Sequence, residues 1–417
     1  MSRIDLGAYK AILATKPALR FDAGTFLMRM FNFTATIGPI AMLTLAGASA
    51  FEATTVSSTL AACTFLVAPR VSRLVDKRGQ SAIVPLAAVI GLAGFVLMMC
   101  VTQFGLPFWL NYPAAFLGSF LPHGPSLART RWTYLVETRC LGGQTPELKS
   151  AYAFEGILDD VAFMVGPACS IGIAAATVPI GGVAAGVVVY AIGCAIMVSS
   201  KNTEPDAAYL QEHAHAQGAS QGRNVLTAYP MVLLLFISMV LVGCVYGGFD
   251  ASSVSYAESI GWPVLASIML AIQSVFSLVM STLFGMVRLS MPLHRQLIVF
   301  GVLFGALYAL LVFIETPASF LIITSVAAIS YPPLLITANV VCETSVPEAN
   351  LTEAMSWMTS GLNVGMVIGP VSAGALIDAT TMPLAGFDLC AVFAGLLVVL
   401  FVAAVPLVRR MRKRTGE

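Results

Sequence analysis

Charge is scarce in this chain, and its scarcity excludes most soluble classes of protein. Only 10% of the 417 residues are charged, while 58% are hydrophobic and the mean hydropathy is +0.87. A soluble domain carries about 25% charged residues. The sequence also has no broad basic patch interleaved with aromatic residues, so nucleic acid is not expected as a partner.

Histidine and cysteine are also few, and their spacing excludes the common metal and nucleophile motifs. The four histidines and eight cysteines form no Cys-x-x-Cys and no His-Glu-x-x-His, and no Gly-x-Ser-Gly occurs. We therefore expect no metal, no cofactor and no enzymatic activity. An intramembrane enzyme and a non-transporting sensor stay open as alternative classes. Residues 1–20 lack the pattern of a signal peptide and are predicted to form a cytoplasmic segment.

Long apolar stretches are what the sequence has in abundance. Twelve of them reach or approach the ~20 residues that cross the hydrocarbon core of a bilayer. We predict an all-α membrane protein whose transmembrane spans, numbered 1 to 12, are 21–46, 52–72, 80–103, 107–130, 148–176, 180–200, 226–250, 262–287, 293–314, 317–343, 351–378 and 384–408.

Polar segments divide these spans into two groups of six. The stretch 201–225 is predicted to be a cytoplasmic linker between an N-terminal half at 21–200 and a C-terminal half at 226–408. A basic cytoplasmic tail is predicted at 409–417.

The distribution of positive charge predicts the orientation. When the chain crosses at every span, 21 of the 22 Lys and Arg residues fall on one side, and only Arg29 lies inside the membrane. Short loops rich in Lys and Arg stay cytoplasmic. Both termini are therefore predicted to be cytoplasmic, in a multi-pass protein of the bacterial inner membrane. Arg29 is a candidate functional residue because an ionisable group at membrane depth is costly to bury.

The two halves resemble each other in sequence. Residues 148–167 of span 5 align without gaps with residues 351–370 of span 11, and a weaker match aligns 127–129 with 337–339. Two matches in the same order indicate a duplication. Parallel six-helix repeats with a substrate near the midplane between them are a transporter arrangement.

Three acids in span 5 form the most unusual local pattern. Glu155, Asp159 and Asp160 follow the start of the span, and Asp160 lies roughly 18 Å along the helix, near mid-bilayer. A carboxylate at this depth either pairs with a cation or holds a proton, and both states suit proton coupling. A fixed ion pair between helices is the alternative. The candidate pairings are Arg29–Asp160 and Arg129 with an Asp.

Other polar and aromatic side chains complete the candidate site. His123 in span 4 is a candidate proton carrier because histidine titrates near neutrality, with a packing role as the alternative. The remaining candidates for contact with a substrate are Asn32, Tyr246, Asp250, Tyr331, Asn339, Trp357 and Asn363. Asn363 is the repeat mate of Asp160, so this repeat position is charged in one half and neutral in the other.

The loop between spans 2 and 3 carries a family resemblance. Its sequence, Ser72-Arg-Leu-Val-Asp76-Lys77-Arg-Gly79-Gln80, resembles the signature between the second and third helices of the major facilitator superfamily. Ser72 replaces the usual glycine. The resemblance implies that superfamily's fold, with two six-helix halves around a central cavity, and a gating role for Asp76, Lys77 and Gly79. The matching loop at 288–295 lacks the Asp and the Gly, so any such lock is one-sided.

Gly-Pro pairs in spans 5 and 11 resemble a motif that antiporters of the same superfamily carry on helix 5. Span 11 has the complete Gly-x-x-x-Gly-Pro form, whereas span 5 has Ala162 in place of the first glycine. The resemblance implies a hinge or seal and favours efflux, with simple helix kinking as the alternative. These gating candidates are Gly166, Pro167, Gly365, Gly369 and Pro370.

The predicted function is proton-coupled secondary active transport of a small organic solute by alternating access, with export by antiport favoured. Uptake of a small anionic metabolite that binds Arg29 is the alternative. The pattern Arg129-Thr-Arg131-Trp132 with the span 5 acids also resembles actinobacterial facilitator permeases, a resemblance that names no substrate. The expected partners are a small-molecule substrate, protons and the lipid bilayer, and the protein is expected to be a monomer.

Overall fold

A computed structural model describes residues 15–138, 148–205, 225–286, 291–346 and 348–406. These residues are mostly helical, and no strand occurs among them. The α-helices are α1 (Lys16–Asn32), α2 (Ile37–Leu45), α3 (Ala50–Arg78), α4 (Gln80–Phe104), α5 (Asn111–Gly118), α6 (Gly124–Glu137), α7 (Leu148–Ala176), α8 (Gly181–Ser199), α9 (Val225–Ala228), α10 (Pro230–Ser259), α11 (Val264–Met286), α12 (Leu293–Ala309), α13 (Pro317–Ala328), α14 (Tyr331–Ser345), α15 (Glu348–Thr380) and α16 (Ala385–Ala403).

The helices confirm the prediction of an all-α membrane protein. Among the described residues, ten helices are long and apolar enough to cross a membrane, and the bent pair of α1 and α2 makes an eleventh. Span 5 coincides with α7 at both ends. The predicted basic tail, most of the predicted linker and most of the N-terminal segment lie outside the described residues.

Span 1 starts earlier than expected and consists of two helices. Pro17 stands in the first turn of α1, where its missing N–H costs nothing, and α1 ends at Asn32. The axis then bends by 49° before α2. Thr34 in the bend donates its hydroxyl to the Met30 carbonyl at 2.7 Å, which competes with the helical hydrogen bonds. Arg29 consequently lies in the last turn of α1.

Span 4 is broken between α5 and α6 by the sequence Pro122-His-Gly124-Pro125. A break at membrane depth leaves backbone groups that need other partners. Asn32 supplies two of them, because its amide donates to the Pro122 carbonyl at 3.3 Å and accepts from the Gly124 N–H at 3.0 Å. The Tyr190 hydroxyl also donates to the Pro122 carbonyl, at 2.8 Å. The break is therefore held in place by two neighbouring helices.

The described chain divides into two compact units. The first contains the residues up to Met42 and those from Cys63 to the linker, and α1 packs there against α6, α7 and α8. The second contains Leu43–Ala62 and the residues after the linker, and α10 packs along α15 within it. This differs from the predicted halves, because residues 43–62 were assigned to the N-terminal half and group here with the second unit.

Hydrogen bonds to α15 explain why Leu43–Ala62 groups with the second unit. Asp378 on α15 accepts hydrogen bonds from the first-turn N–H groups of Ala50 and Phe51, both at 3.1 Å. Ser58 donates its hydroxyl to the Val367 carbonyl at 2.8 Å. A carboxylate is favourable at a helix N-terminus because it meets unsatisfied N–H groups and the positive end of the helix dipole.

The glycines of span 11 allow α15 to approach α10 closely. A Cβ atom on Gly365 would lie 2.6 Å from the Cys244 nitrogen and 2.7 Å from the Gly243 Cα. One on Gly369 would lie 2.8 Å from the Gly248 nitrogen. In the first unit, a Cβ on Gly166 would meet the Met30 carbonyl of α1. These motif glycines therefore serve as contact points between helices of the same unit.

We expect Gly365→Ala to lower the melting temperature of the purified protein, because the added methyl group must displace backbone atoms of α10. Overpacking of this kind costs about 1–3 kcal/mol. Gly395→Ala is the matched control, since a Cβ there meets no atom within 4 Å. Thermal unfolding of both variants in detergent measures the effect, and equal melting temperatures would contradict it.

Candidate functional site

Arg29 is paired with a carboxylate on another helix. Its guanidinium forms an ion pair with Glu155 on α7, and its Nη1 donates to the Glu155 backbone carbonyl at 3.1 Å. Both side chains are 0% exposed. A charge that is removed from water is tolerated when it is paired and hydrogen-bonded. The cation that stood alone in the charge distribution is therefore one half of a buried ion pair between α1 and α7.

A second carboxylate extends this pair into a chain of four charges. Arg29 Nη1 lies 3.3 Å from Asp159 Oδ1, and the other Asp159 oxygen pairs with Arg129 on α6. Glu155 and Asp159 are one turn apart on the same face of α7. The Arg129 side chain is 43% exposed, whereas that of Arg29 is not exposed at all. The chain of charges thus runs from the protein interior to an accessible surface.

An indole connects this chain to a third carboxylate. Trp132 Nε1 lies 3.1 Å from Asp22 Oδ1 and 3.1 Å from Glu155 Oε1, so one N–H serves two acceptors. Trp132 is fully buried and Asp22 is 3% exposed. We refer to Asp22, Arg29, Arg129, Trp132, Glu155 and Asp159 as the charge cluster. It joins α1, α6 and α7 within the first unit.

Asp22 was absent from the sequence-based site, although a signal for it exists. Asp22 precedes Arg29 by seven residues, which is two helical turns, so both project from the same face of α1. The predicted start of span 1 at residue 21 placed Asp22 at the membrane edge. Since α1 begins at Lys16, Asp22 lies inside the helix. Trp132 appeared only as part of a motif.

The remaining candidates of the first unit lie outside the charge cluster. Asp160 is exposed and makes no ion pair with any described residue, so Arg29 pairs with Glu155 and Asp159 and not with Asp160. His123 precedes the first residue of α6, and its Nδ1 lies 3.0 Å from the Ser126 hydroxyl. Asn32 holds the break between α5 and α6, as described above.

The candidates of the second unit fall into separate environments. Tyr246 on α10 and Tyr331 on α14 lie in contact, with ring centroids 4.8 Å apart. Asp250 follows Tyr246 by one helical turn and is half-buried. Trp357 donates to Glu353 on its own helix at 3.4 Å. Asn339 is half-buried, and Asn363 is exposed.

The loop of the family signature is a tight turn between α3 and α4. Gly79 has φ 86°, a left-handed conformation that favours glycine, and it immediately precedes α4. Lys77 is exposed in the last turn of α3. Asp76 belongs to the same turn, and its side chain lies outside the described residues. Its role as a latch therefore stays a prediction.

A second buried arginine stabilises this turn and the start of the linker. Arg131 is 0% exposed and donates to Gln80 Oε1 at 2.7 Å, the Ser200 carbonyl at 2.8 Å and Thr203 Oγ1 at 2.9 Å. Glu204 accepts from the Ser81 N–H at 2.7 Å, close to the first residue of α4. Arg131 is therefore committed to structural contacts and is separate from the charge cluster.

Comparisons with known proteins identify the fold. Residues 274–417 match the family model described as Major Facilitator Superfamily. An auto-inhibited POT family peptide transporter is 13% identical, with a TM-score of 0.68 over 95% of this chain and 97% of that one. The nucleoside transporter NupG is 16% identical, with a TM-score of 0.69 over 94% and 98%. The POT family transporter PepTSo is 10% identical, with a TM-score of 0.69 over 96% and 99%.

The comparison with curated proteins gives no match. At the identities above, the similarity to solved structures shows the fold, and it extends over nearly the whole chain. The fold inferred from the loop signature and the internal repeat is thereby confirmed. The chain is a multi-pass membrane protein with the major facilitator fold.

We expect Glu155→Gln to destabilise the protein strongly, because it leaves the buried Arg29 guanidinium without its ionised partner. Breaking one side of a buried pair typically costs about 3–5 kcal/mol. Asp160→Asn, on the exposed side of the same helix, is the control and should leave the melting temperature nearly unchanged. Thermal unfolding in detergent compares the two, and similar shifts would show that the pair contributes little.

Proposed function

We propose that this chain, which has the major facilitator fold, is a proton-coupled secondary transporter that exports a small organic solute by alternating access. The charge cluster is the observation that carries the proposal. Two arginines and three carboxylates lie together at the junction of α1, α6 and α7, and most of them are buried. A protein that needed only to hold three helices together could use apolar side chains at lower cost.

The arrangement of the cluster supports a role in proton coupling. Arg29 contacts both Glu155 and Asp159, and Asp159 contacts both Arg29 and Arg129. A proton on Glu155 weakens its contact with Arg29 and leaves the contacts of Asp159 in place, whereas a proton on Asp159 weakens its contacts with both arginines. The helices that carry these groups then prefer a different packing, which is how a local change in charge can bias a two-state element. Asp160 is exposed next to Asp159 and is the proposed group through which protons reach the cluster.

The structural neighbours support transport of a small organic solute. Their names describe transporters of peptides and of nucleosides, and both classes share the fold of this chain. Fold similarity alone does not transfer a substrate. It does agree with the internal repeat and with the buried charges in favouring secondary transport over an enzyme or a sensor.

The burial of Arg29 favours export over uptake of an anionic metabolite. A solute with a carboxylate or phosphate would need a free guanidinium face to bind. Both terminal nitrogens of Arg29 are engaged by Glu155 and Asp159, and the side chain is inaccessible. The Gly-Pro motif on α15, which resembles the antiporter motif, supports the same direction.

Reconstitution tests the proposal. A thermal-shift screen of metabolites and drugs on the purified protein selects compounds, which are then assayed in proteoliposomes under an imposed pH gradient. We expect at least one compound to move against its gradient when protons move down theirs, with a matching signal from an internal pH dye. Absence of both counterflow and proton movement with every compound of a broad panel would reject the transporter proposal.

Asp160→Asn tests the route of the proton in the same assay. We expect it to abolish accumulation driven by a pH gradient while leaving solute exchange intact, because exchange needs no net proton movement. Asp388→Asn, at an exposed acid in the first turn of α16, is the matched control. Undiminished accumulation by Asp160→Asn would exclude Asp160 from this route.

A further inference from the structure

Asp22 is a buried carboxyl group without a cation. It is 3% exposed, and its Oδ2 has no hydrogen-bond donor among the described residues. Its Oδ1 shares the Trp132 N–H with Glu155. The Asp22 and Glu155 carboxyl groups therefore meet at one donor, because the Trp132 indole nitrogen lies 3.1 Å from an oxygen of each. Two ionised carboxylates that share a single N–H donor would repel each other.

The described arginines on α1 and α6 have partners other than Asp22. Arg29 pairs with Glu155 and Asp159, and Arg129 pairs with Asp159. On the same helix, Arg20 donates to the Ser199 hydroxyl at 3.2 Å. On α6, Arg131 bonds to Gln80 and to the turn after α8. No cation in the described part of the chain therefore forms an ion pair with Asp22.

Several other titratable groups on the helices packed against α1 make contacts that do not involve Asp22. On α8, the Tyr190 hydroxyl donates to the Pro122 carbonyl, and Cys194 is a buried free cysteine. On α7, Tyr152 contacts Thr133, and Asp160 is exposed. The contact of the Asp22 carboxyl group that the structure shows is with the Trp132 N–H, which it shares with Glu155.

The charges of the cluster leave one negative charge in excess. Two arginines face three carboxylates, and both Asp22 and Glu155 are excluded from solvent. An uncompensated charge in such a place is costly. A proton shared by two adjacent carboxyl groups removes the excess and supplies the missing hydrogen bond. Arg29 forms its ion pair with Glu155 and not with Asp22, so we assign the proton mainly to Asp22.

We propose that Asp22 and Glu155 form a proton-binding site between α1 and α7, bridged by the Trp132 indole, and that its proton is the one exchanged for solute. The second part rests on the proposed function. On release the proton passes from Asp22 to water, no covalent bond other than O–H breaks, and two carboxylates remain on one N–H. Their repulsion pushes α1 and α7 apart, or the new negative charge on Asp22 draws Arg29 toward it and away from Asp159.

Infrared spectroscopy of the purified full-length protein tests the site without a substrate, with protons and deuterons as the only probes. We expect a carbonyl band of a protonated carboxyl group that persists at neutral pH and shifts in deuterium oxide. Asp22→Asn should remove this band, and the control Asp388→Asn should keep it. Absence of the band from the wild type, or its persistence in Asp22→Asn, would overturn the proposal.

A second variant covers the case in which Asp22→Asn does not fold. Trp132→Phe keeps a ring in the same space and removes the shared N–H. Because the ionised pair then loses a donor, the band should persist to a higher pH than in the wild type. Trp109→Phe, at a 63% exposed tryptophan, is the control. Identical pH profiles of the band in both variants would contradict the bridging role of Trp132.

Transport then distinguishes a coupled proton from a structural one. With a solute that the wild type accumulates under a pH gradient, Asp22→Asn should retain exchange and lose accumulation. If Asp22→Asn loses the band but accumulates normally, the site exists and its proton is not the coupled one, which overturns the second part. If the wild type transports nothing, the proposed function fails, and the infrared result still decides the site.

Discussion

The ion pair between Arg29 and Glu155 is the contact on which the organisation of the first unit depends. It fixes α1 against α7 at a depth where neither charge reaches water, so neither partner can leave without exposing the other to a medium of low dielectric constant. Asp159, Arg129 and Trp132 are arranged around this pair. The same helix α1 supplies Asn32, which holds the break between α5 and α6. The pair therefore lies on a helix that packs against α6, α7 and α8.

The second unit shows that the fold does not require these charges. Within the internal repeat, Glu155 corresponds to Met358 and Asp159 to Leu362, both apolar, and Trp132 corresponds to the buried Cys342. Glycine contacts between α10 and α15 hold the equivalent helices together instead. The second unit thus packs these helices with small and apolar residues, whereas the first unit retains buried charges, whose desolvation is costly. This difference between two related units favours a functional role for the charge cluster over a structural one.

Features of the fold that depend only on position along the chain could be predicted from the sequence. The all-α membrane fold and both ends of α7 follow from hydropathy and from position along the chain. The breaks in spans 1 and 4 were missed because apolar runs continue across them, although Pro122 and Pro125 mark the second break. The partners of Arg29 depend on which side of a helix each group faces. The depth of Asp160 along its helix made it the predicted partner of Arg29. The partners in the structure are Glu155 and Asp159, because they lie on the side of α7 that faces α1. Asp22 joins the site because it lies on the same face of α1 as Arg29.

The position of Trp132 has a consequence for how the protein can be observed. The chain has four tryptophans, of which Trp109 and Trp262 are 63% and 47% exposed, while Trp132 is fully buried. Its indole N–H contacts the carboxyl groups of Asp22 and Glu155. The emission of an indole responds to a change in charge beside its N–H. The molecule therefore carries an optical reporter at the centre of its charge cluster, and its ionisation can be followed by light without a label.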